Sequence, residues 1–224
     1  MSVQSVSRPN SDFRGYMGTI ASGEISVGDR IRVNPSGMET RVKSFADFDG
    51  PRHSASAGES VCLVLEDEVD ISRGDLLSSV VDPALVSDHV EVHLVWLAEE
   101  AMIPQRSYLL KIGSKEVRAH IDRLKYRIDI NSNEHVSAVT LGLNDIGICN
   151  ISTVTPIGLD PYDLNRSTGA FVLIDRITNR TVGAGMIRHS LRRSENVQWQ
   201  ELTVGREQRE LMNEQVGFVV WLTG

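Results

Sequence analysis

Aromatic residues make up only 5% of the chain and cysteines number just two. Cys62 and Cys149 lie far apart, inside the apolar stretches "SVCLVL" and "IGICNIS". They read as small buried hydrophobes of a reducing compartment, not as a disulfide or as reactive thiols. No apolar run approaches the roughly 20 residues of a membrane-spanning helix, and the opening "MSVQSVSRPNSD" lacks the apolar centre of a signal peptide. The expectation is a cytoplasmic chain without a membrane partner. A basic excess is missing too: the formal net charge is -7, the surplus acid falls in the first 86 residues, and the remainder is nearly balanced. Phosphate backbones are held by clustered Lys and Arg, so a nucleic-acid partner is disfavoured.

Patterns that carry chemistry are equally scarce. There is no "GxSxG", no readable Ser, His and Asp arrangement and no complete phosphate loop. Gly183 and Gly185 in "TVGAGMI" lack the third glycine and the following helix of a dinucleotide fingerprint, which leaves bulges or close packing as their reading. His89 and His93 are four apart, a helical ligand spacing, but "HVEVHLVWLA" alternates as a strand and would set them roughly 13 Å apart. The acidic run Glu66 to Asp70 lacks the ligand spacing and central glycine of a calcium loop and reads as a solvated turn. Glu99 and Glu100 could form an acid and base pair, yet adjacent residues on a strand or turn point apart and no nucleophile is in sight. No catalytic, cofactor-binding or metal-ligating residue is assigned.

What is present is a succession of short strands. With 41% apolar residues in 224 the chain can build real cores. Residues 1–86 show about six strands, among them "GYMGTIAS", "EISVGDRIRVN" with Ile25, Val27, Ile31 and Val33 arranged about a "GD" turn, "TRVKSF" and "ESVCLVLE". So many edges in so short a span suit a small closed barrel. The polar stretch around Pro83 makes a junction. Residues 87–190 repeat the pattern: "SYLLKIGSKEVRAHIDRLKYRID" turns at Gly113, and "TNRT", Thr178 to Thr181, sits between two apolar runs as a hairpin turn. After Ile187 the chain becomes polar and charged, and residues 191–224 read as a linker. One short amphipathic helix is expected there, carrying Leu202, Gln208 and Leu211 with Thr203 as its cap.

Particular stretches go further. "RPNSDFRGYMGTIASGEISVGDRIRV" resembles the second domain of translational-type GTPases, with its "G-x-I-x-x-G-D-x-I" feature at Gly23 to Ile31. "LVLEDEVDISRGDLL", "SYLLKIGSKEV", "LNDIGICNIS" and "DPYDLNRSTGAFVLIDRITNRTVGAGMI" resemble, from about Arg8 to Ile187, the large GTP-binding subunit of bacterial sulfate adenylyltransferase. That resemblance implies an all-β chain of two consecutive β-barrels of the elongation factor Tu domain 2 and domain 3 type, with the polar, partly helical tail after them. It also implies a parent protein that uses GTP, ATP and magnesium and pairs with a smaller catalytic subunit making adenylyl sulfate. Motifs of the GTPase domain ("GxxxxGK[ST]", "NKxD") do not occur, so the chain is expected to be a non-catalytic middle portion that couples the GTPase to the small subunit.

In the bifunctional form of that family an adenylylsulfate kinase follows, opening on a strand much like "VVWLTG". The resemblance then implies that Phe218 to Leu222 are the kinase's first strand and Gly224 the first glycine of its phosphate loop. A translation-factor module that carries aminoacyl-tRNA on the same two barrels is the alternative reading.

Overall fold

The computed structural model describes residues 1–10, 13–46, 50 and 52–191. The amphipathic helix expected from Thr203, the strand expected at Phe218 to Leu222 and Gly224 lie outside the described residues.

Eight strands form the first half: β1 (Ser2–Asn10), β2 (Phe13–Thr19), β3 (Glu24–Ser26), β4 (Arg30–Asn34), β5 (Glu39–Phe45), β6 (Ser54–Ser56), β7 (Ser60–Leu65) and β8 (Leu76–Ser79). Six of them close into an antiparallel barrel in the order β1-β2-β7-β5-β4-β8, and the seam is the pairing of Ser2 with Leu76. Alternation fills it: in β7, Val61, Leu63 and Leu65 are buried while Ser60 is exposed, as a two-residue period requires when one face is wet. Tyr16 is 1% exposed in this core. Its hydroxyl donates to the carbonyl of Val69 at 3.0 Å, which supplies the partner a buried phenol needs.

That bond adds an inward anchor, Val69, to the solvated turn read at Glu66 to Asp70. Val69 and Ile71 are buried in the barrel core, while Glu66, Asp67, Glu68 and Asp70 stay exposed. The "GD" turn differs from expectation. Gly28, with φ of +91°, does reverse the chain, and the Asp29 carboxylate accepts from the Ser26 N–H at 2.8 Å. The flanking strands nevertheless do not pair with each other. Gly28 N–H donates to Val42 O and Val42 N–H to Asp29 O, so β5 takes the backbone groups at the turn, and β3 pairs instead with β6 as a separate ribbon.

The second half holds β9 (Leu85–Trp96), β10 (Ser107–Ile112), β11 (Lys115–Ile128), β12 (His135–Val136), β13 (Ile146–Leu159), the four-residue helix α1 (Arg166–Gly169), β14 (Ala170–Asp175) and β15 (Thr181–Ser190). The order β10-β14-β15-β9-β13-β11, closed by β10 against β11, makes a second six-stranded barrel, with β12 appended to β11. The turn at Gly113 joins β10 and β11 with φ of +53°. The turn through Thr178 is tied down by the Asp175 carboxylate, which accepts from the N–H groups of Ile177 and Thr178 at 2.8 and 2.9 Å.

Inward residues include Val90, Val92, Leu94, Leu110, Ile121, Ile151 and Leu173. Gly185 lies opposite Phe171 across β14 and β15, and a Cβ there would sit 2.1 Å from the ring. The glycine is close packing, as read from the sequence. The two barrels have distinct cores, and none of the described helices is long and apolar enough to cross a membrane.

Candidate functional site

Among the described residues the barrels touch at Gly158, at Gly74 and at Asn165, and small residues make the approach possible. Gly158 of β13 packs against β4 and β8, where an added Cβ would lie 3.0 Å from the Cβ atoms of Asn34 and Leu76. Asn34 is 1% exposed, and its side-chain amide donates to Leu76 O at 3.0 Å and to Ser78 Oγ at 2.9 Å. Gly74, with φ of +93°, faces the turn after Gly113, and a Cβ there would meet Lys115 Cα at 2.8 Å. The Lys115 ammonium pairs with Asp75 at 3.3 Å. The third contact is Asn165 Nδ2 donating to Ser22 Oγ at 3.0 Å.

Beside that third contact the barrels leave a cleft of about 790 Å³, walled by the β2–β3 loop and β3, the connection from Leu76 to Leu85, and the stretch from Asp160 to Thr168. The last wall is the "DPYDLNRSTG" motif. Asn165 caps α1 by accepting from the Ser167 N–H at 3.1 Å, as Asn does at a helix start. Leu164 and Asn165 N–H both donate to Pro161 O at 3.0 Å, and Thr168 Oγ1 donates to Asp160 Oδ2 at 2.5 Å.

Four carboxylates line the cleft, Glu24, Asp29, Asp82 and Asp160. Arg30 is paired with Glu39 at 2.6 Å. The Met1 nitrogen donates to Leu77 O at 2.7 Å. The sequence reading assigned no role to Asp160, Asn165 or Thr168. Their signal was the Asn followed by Arg-Ser-Thr-Gly, a cap and a helix stop too close together to suggest an element.

The side chains weighed for chemistry in the sequence, His89, His93, Glu66 to Asp70, Glu99, Glu100 and the two cysteines, do not line this cleft. His89 and His93 both lie on β9, a strand as expected. His89 pairs with Asp88 at 2.9 Å. His93 has its pKa lowered by burial and by Arg188, against the pull of Asp163 and Glu91. Glu99 and Glu100 are exposed, and Glu100 offers only its carbonyl, which accepts from the Trp96 indole at 2.7 Å. Cys149 is fully buried, which pushes its thiol up to about 12, and Cys62 and Cys149 form no disulfide.

Among the described residues no group of three or more His, Cys, Asp or Glu side chains could hold a metal ion. Two buried carboxylates stand outside the cleft: Asp175 pairs with Arg106 at 2.6 Å, and Glu91, on the outer face of the second barrel, bridges Lys125 and Arg188. Desolvation pushes its pKa up, but the Lys125 hydrogen bond and the charges of Lys125, His189 and Arg188 together bring it below the usual carboxylate value.

Two closed antiparallel barrels in series are a fold that this chain shares with a solved structure. Sup35 complexed with GDP superposes with a TM-score of 0.77 over 86% of this chain and 47% of that one, at 19% identity. The family model for the GTP-eEF1A C-terminal domain-like fold matches residues 89–188.

Closer relatives exist among curated proteins. The bifunctional enzyme NodQ of Rhizobium sp. (strain N33) is 50% identical over 99% of this chain and 34% of its own length. Sulfate adenylyltransferase subunit 1 of Shewanella woodyi is 50% identical over 84% of this chain and 40% of its own. The bifunctional enzyme CysN/CysC of Xylella fastidiosa is 41% identical over 99% and 36%. The chain is similar to sulfate adenylyltransferase subunit 1 and to the bifunctional NodQ and CysN/CysC proteins, and it spans between a third and two fifths of their length.

Proposed function

We propose that this chain is the non-catalytic, two-barrel portion of a sulfate-activating protein. It would couple a GTP-binding domain to the small catalytic subunit that makes adenylyl sulfate from ATP and sulfate, in the cytoplasm. The observation that carries this reading is 50% identity with NodQ over 99% of the chain and with sulfate adenylyltransferase subunit 1 over 84% of it.

The residues present do not fit GTP, ATP or magnesium. A phosphate site needs successive backbone N–H groups followed by Lys and Ser or Thr, and a magnesium site needs convergent oxygens. The sequence contains no "GxxxxGK[ST]". Those groups therefore belong to other domains of a longer protein, an adenylylsulfate kinase among them in the bifunctional form, and no chemical step is derived through the barrels.

The test is turnover and binding by the purified chain. Neither GTP hydrolysis nor pyrophosphate release from ATP and sulfate is expected, whereas a separately purified small catalytic subunit should bind. Turnover of either kind, or no binding of that subunit, refutes the reading. A titration with aminoacyl-tRNA at low salt separates the translation-factor alternative, which demands tight, salt-sensitive binding.

A further inference from the structure

The cleft between the barrels carries three features that an unused surface has no reason to combine. First, its walls hold aliphatic side chains in water: Val81 is 94% exposed, Leu164 81% and Leu85 41%. Single exposed aliphatics are ordinary, but several around one concavity mark a binding site.

Second, Leu164 stands on a braced support. The hydrogen bonds from Leu164 and Asn165 N–H to Pro161 O, the Asn165 to Ser22 bond and the Thr168 to Asp160 bond fix the backbone on both sides of it. Gly169 packs so tightly that a Cβ would lie 2.5 Å from Tyr162 Cα. A side chain already held in place loses little freedom when a partner covers it.

Third, the lining is mostly acidic. Glu24, Asp29, Asp82 and Asp160 face the same space. Arg30, which shares that lining, is paired with Glu39. Like charges gathered there repel an acidic partner and steer a basic one.

From these features we propose that the cleft is a docking surface for a protein segment that presents one or two aliphatic side chains flanked by Lys or Arg. The aliphatic groups would cover Leu164, Val81 and Leu85, and the flanking cations would meet the carboxylates. The inference rests on the reading of the chain as a scaffold and assigns a face and a chemistry to its partner.

The experiment uses the whole chain and a fluorescein-labelled twelve-residue peptide of alternating Leu and Lys, with a Ser and Lys peptide of equal charge as control. The Leu peptide is expected to bind at least about tenfold more tightly than the control. Its amide shift changes should be confined to the cleft walls.

Leu164→Ser combined with Val81→Ser should weaken binding by about tenfold. Glu66→Lys with Glu68→Lys, a charge reversal on the exposed turn of the first barrel outside the cleft, should alter it by less than about twofold. Both pairs lie on exposed positions, so folding is retained, and circular dichroism checks it. Equal binding of the two peptides, or equal effects of the two variant pairs, overturns the proposal. Turnover of ATP and sulfate by the chain would instead sink the scaffold reading and leave the peptide result standing by itself.

Discussion

At the scale of single residues, four positions report on how the barrels are held. Gly185 has no room for a methyl group because the Phe171 ring occupies it. Gly185→Ala is expected to cost about 1–3 kcal/mol as the ring is driven into the second core, read as a lowered urea midpoint with unchanged slope. Cys149, fully buried and with its thiol raised to about 12, should resist alkylation at pH 8 and react only on unfolding. Mass spectrometry of labelled peptides distinguishes it from Cys62.

Glu91 and Asp175 both have pKa values below the usual carboxylate range in the folded state. For Asp175 the causes are the Thr178 N–H first, then that of Ile177 and the Arg106 guanidinium, which together exceed the opposing cost of burial. A carboxylate depressed in this way stabilises the fold above its unfolded pKa of about 4 and loses that contribution as pH falls through the lowered folded value. Stability should therefore decline below about pH 4, with a shallower decline in Asp175→Asn. At neutral pH, Glu91→Gln should cost about 1–2 kcal/mol, short of a fully buried pair, because Lys125 and Arg188 remain 34% and 42% exposed.

At the scale of elements, what could be read from the sequence was local. The β10–β11 hairpin was legible because Gly113 is the residue for a positive φ, and the turn at "TNRT" because it lies between two strand-patterned runs. The β3–β6 ribbon was not, since Glu24 pairs with Ser56 and nothing near either residue announces the other. The burial of Val69 was hidden for a similar reason: four acidic neighbours mask a residue whose place is decided by Tyr16. The cleft was illegible altogether, because Asn165 and Ser22 meet only after both barrels have closed. That contact is open to test. Asn165→Ala removes a helix cap and the tie to Ser22 together, and should cost about 1 kcal/mol, with faster amide exchange at Leu164 as the local signature.

At the scale of the whole molecule, two separate cores are joined by narrow contacts. Multidomain chains of this kind depart from a single two-state transition. Calorimetry should resolve two components, with Leu63→Ala lowering the first-barrel component and Leu110→Ala the other, since each side chain is fully buried in its own core. Gly158→Val, which forces the contact with Asn34 and Leu76 apart, should widen the separation between the components while shifting neither core as far as the Leu variants do.

Barrel closure has a further consequence for recognition. A strand at the rim of an open sheet offers a row of unpaired amides onto which another chain can lay itself, and closing a sheet removes that row. Here the described strands outside the two closed rings are the two-residue β12 and the three-residue strands of the β3–β6 ribbon. A companion that meets the rings where strands pair on both sides reads side chains, so its choice can be altered by surface substitution without rebuilding the fold.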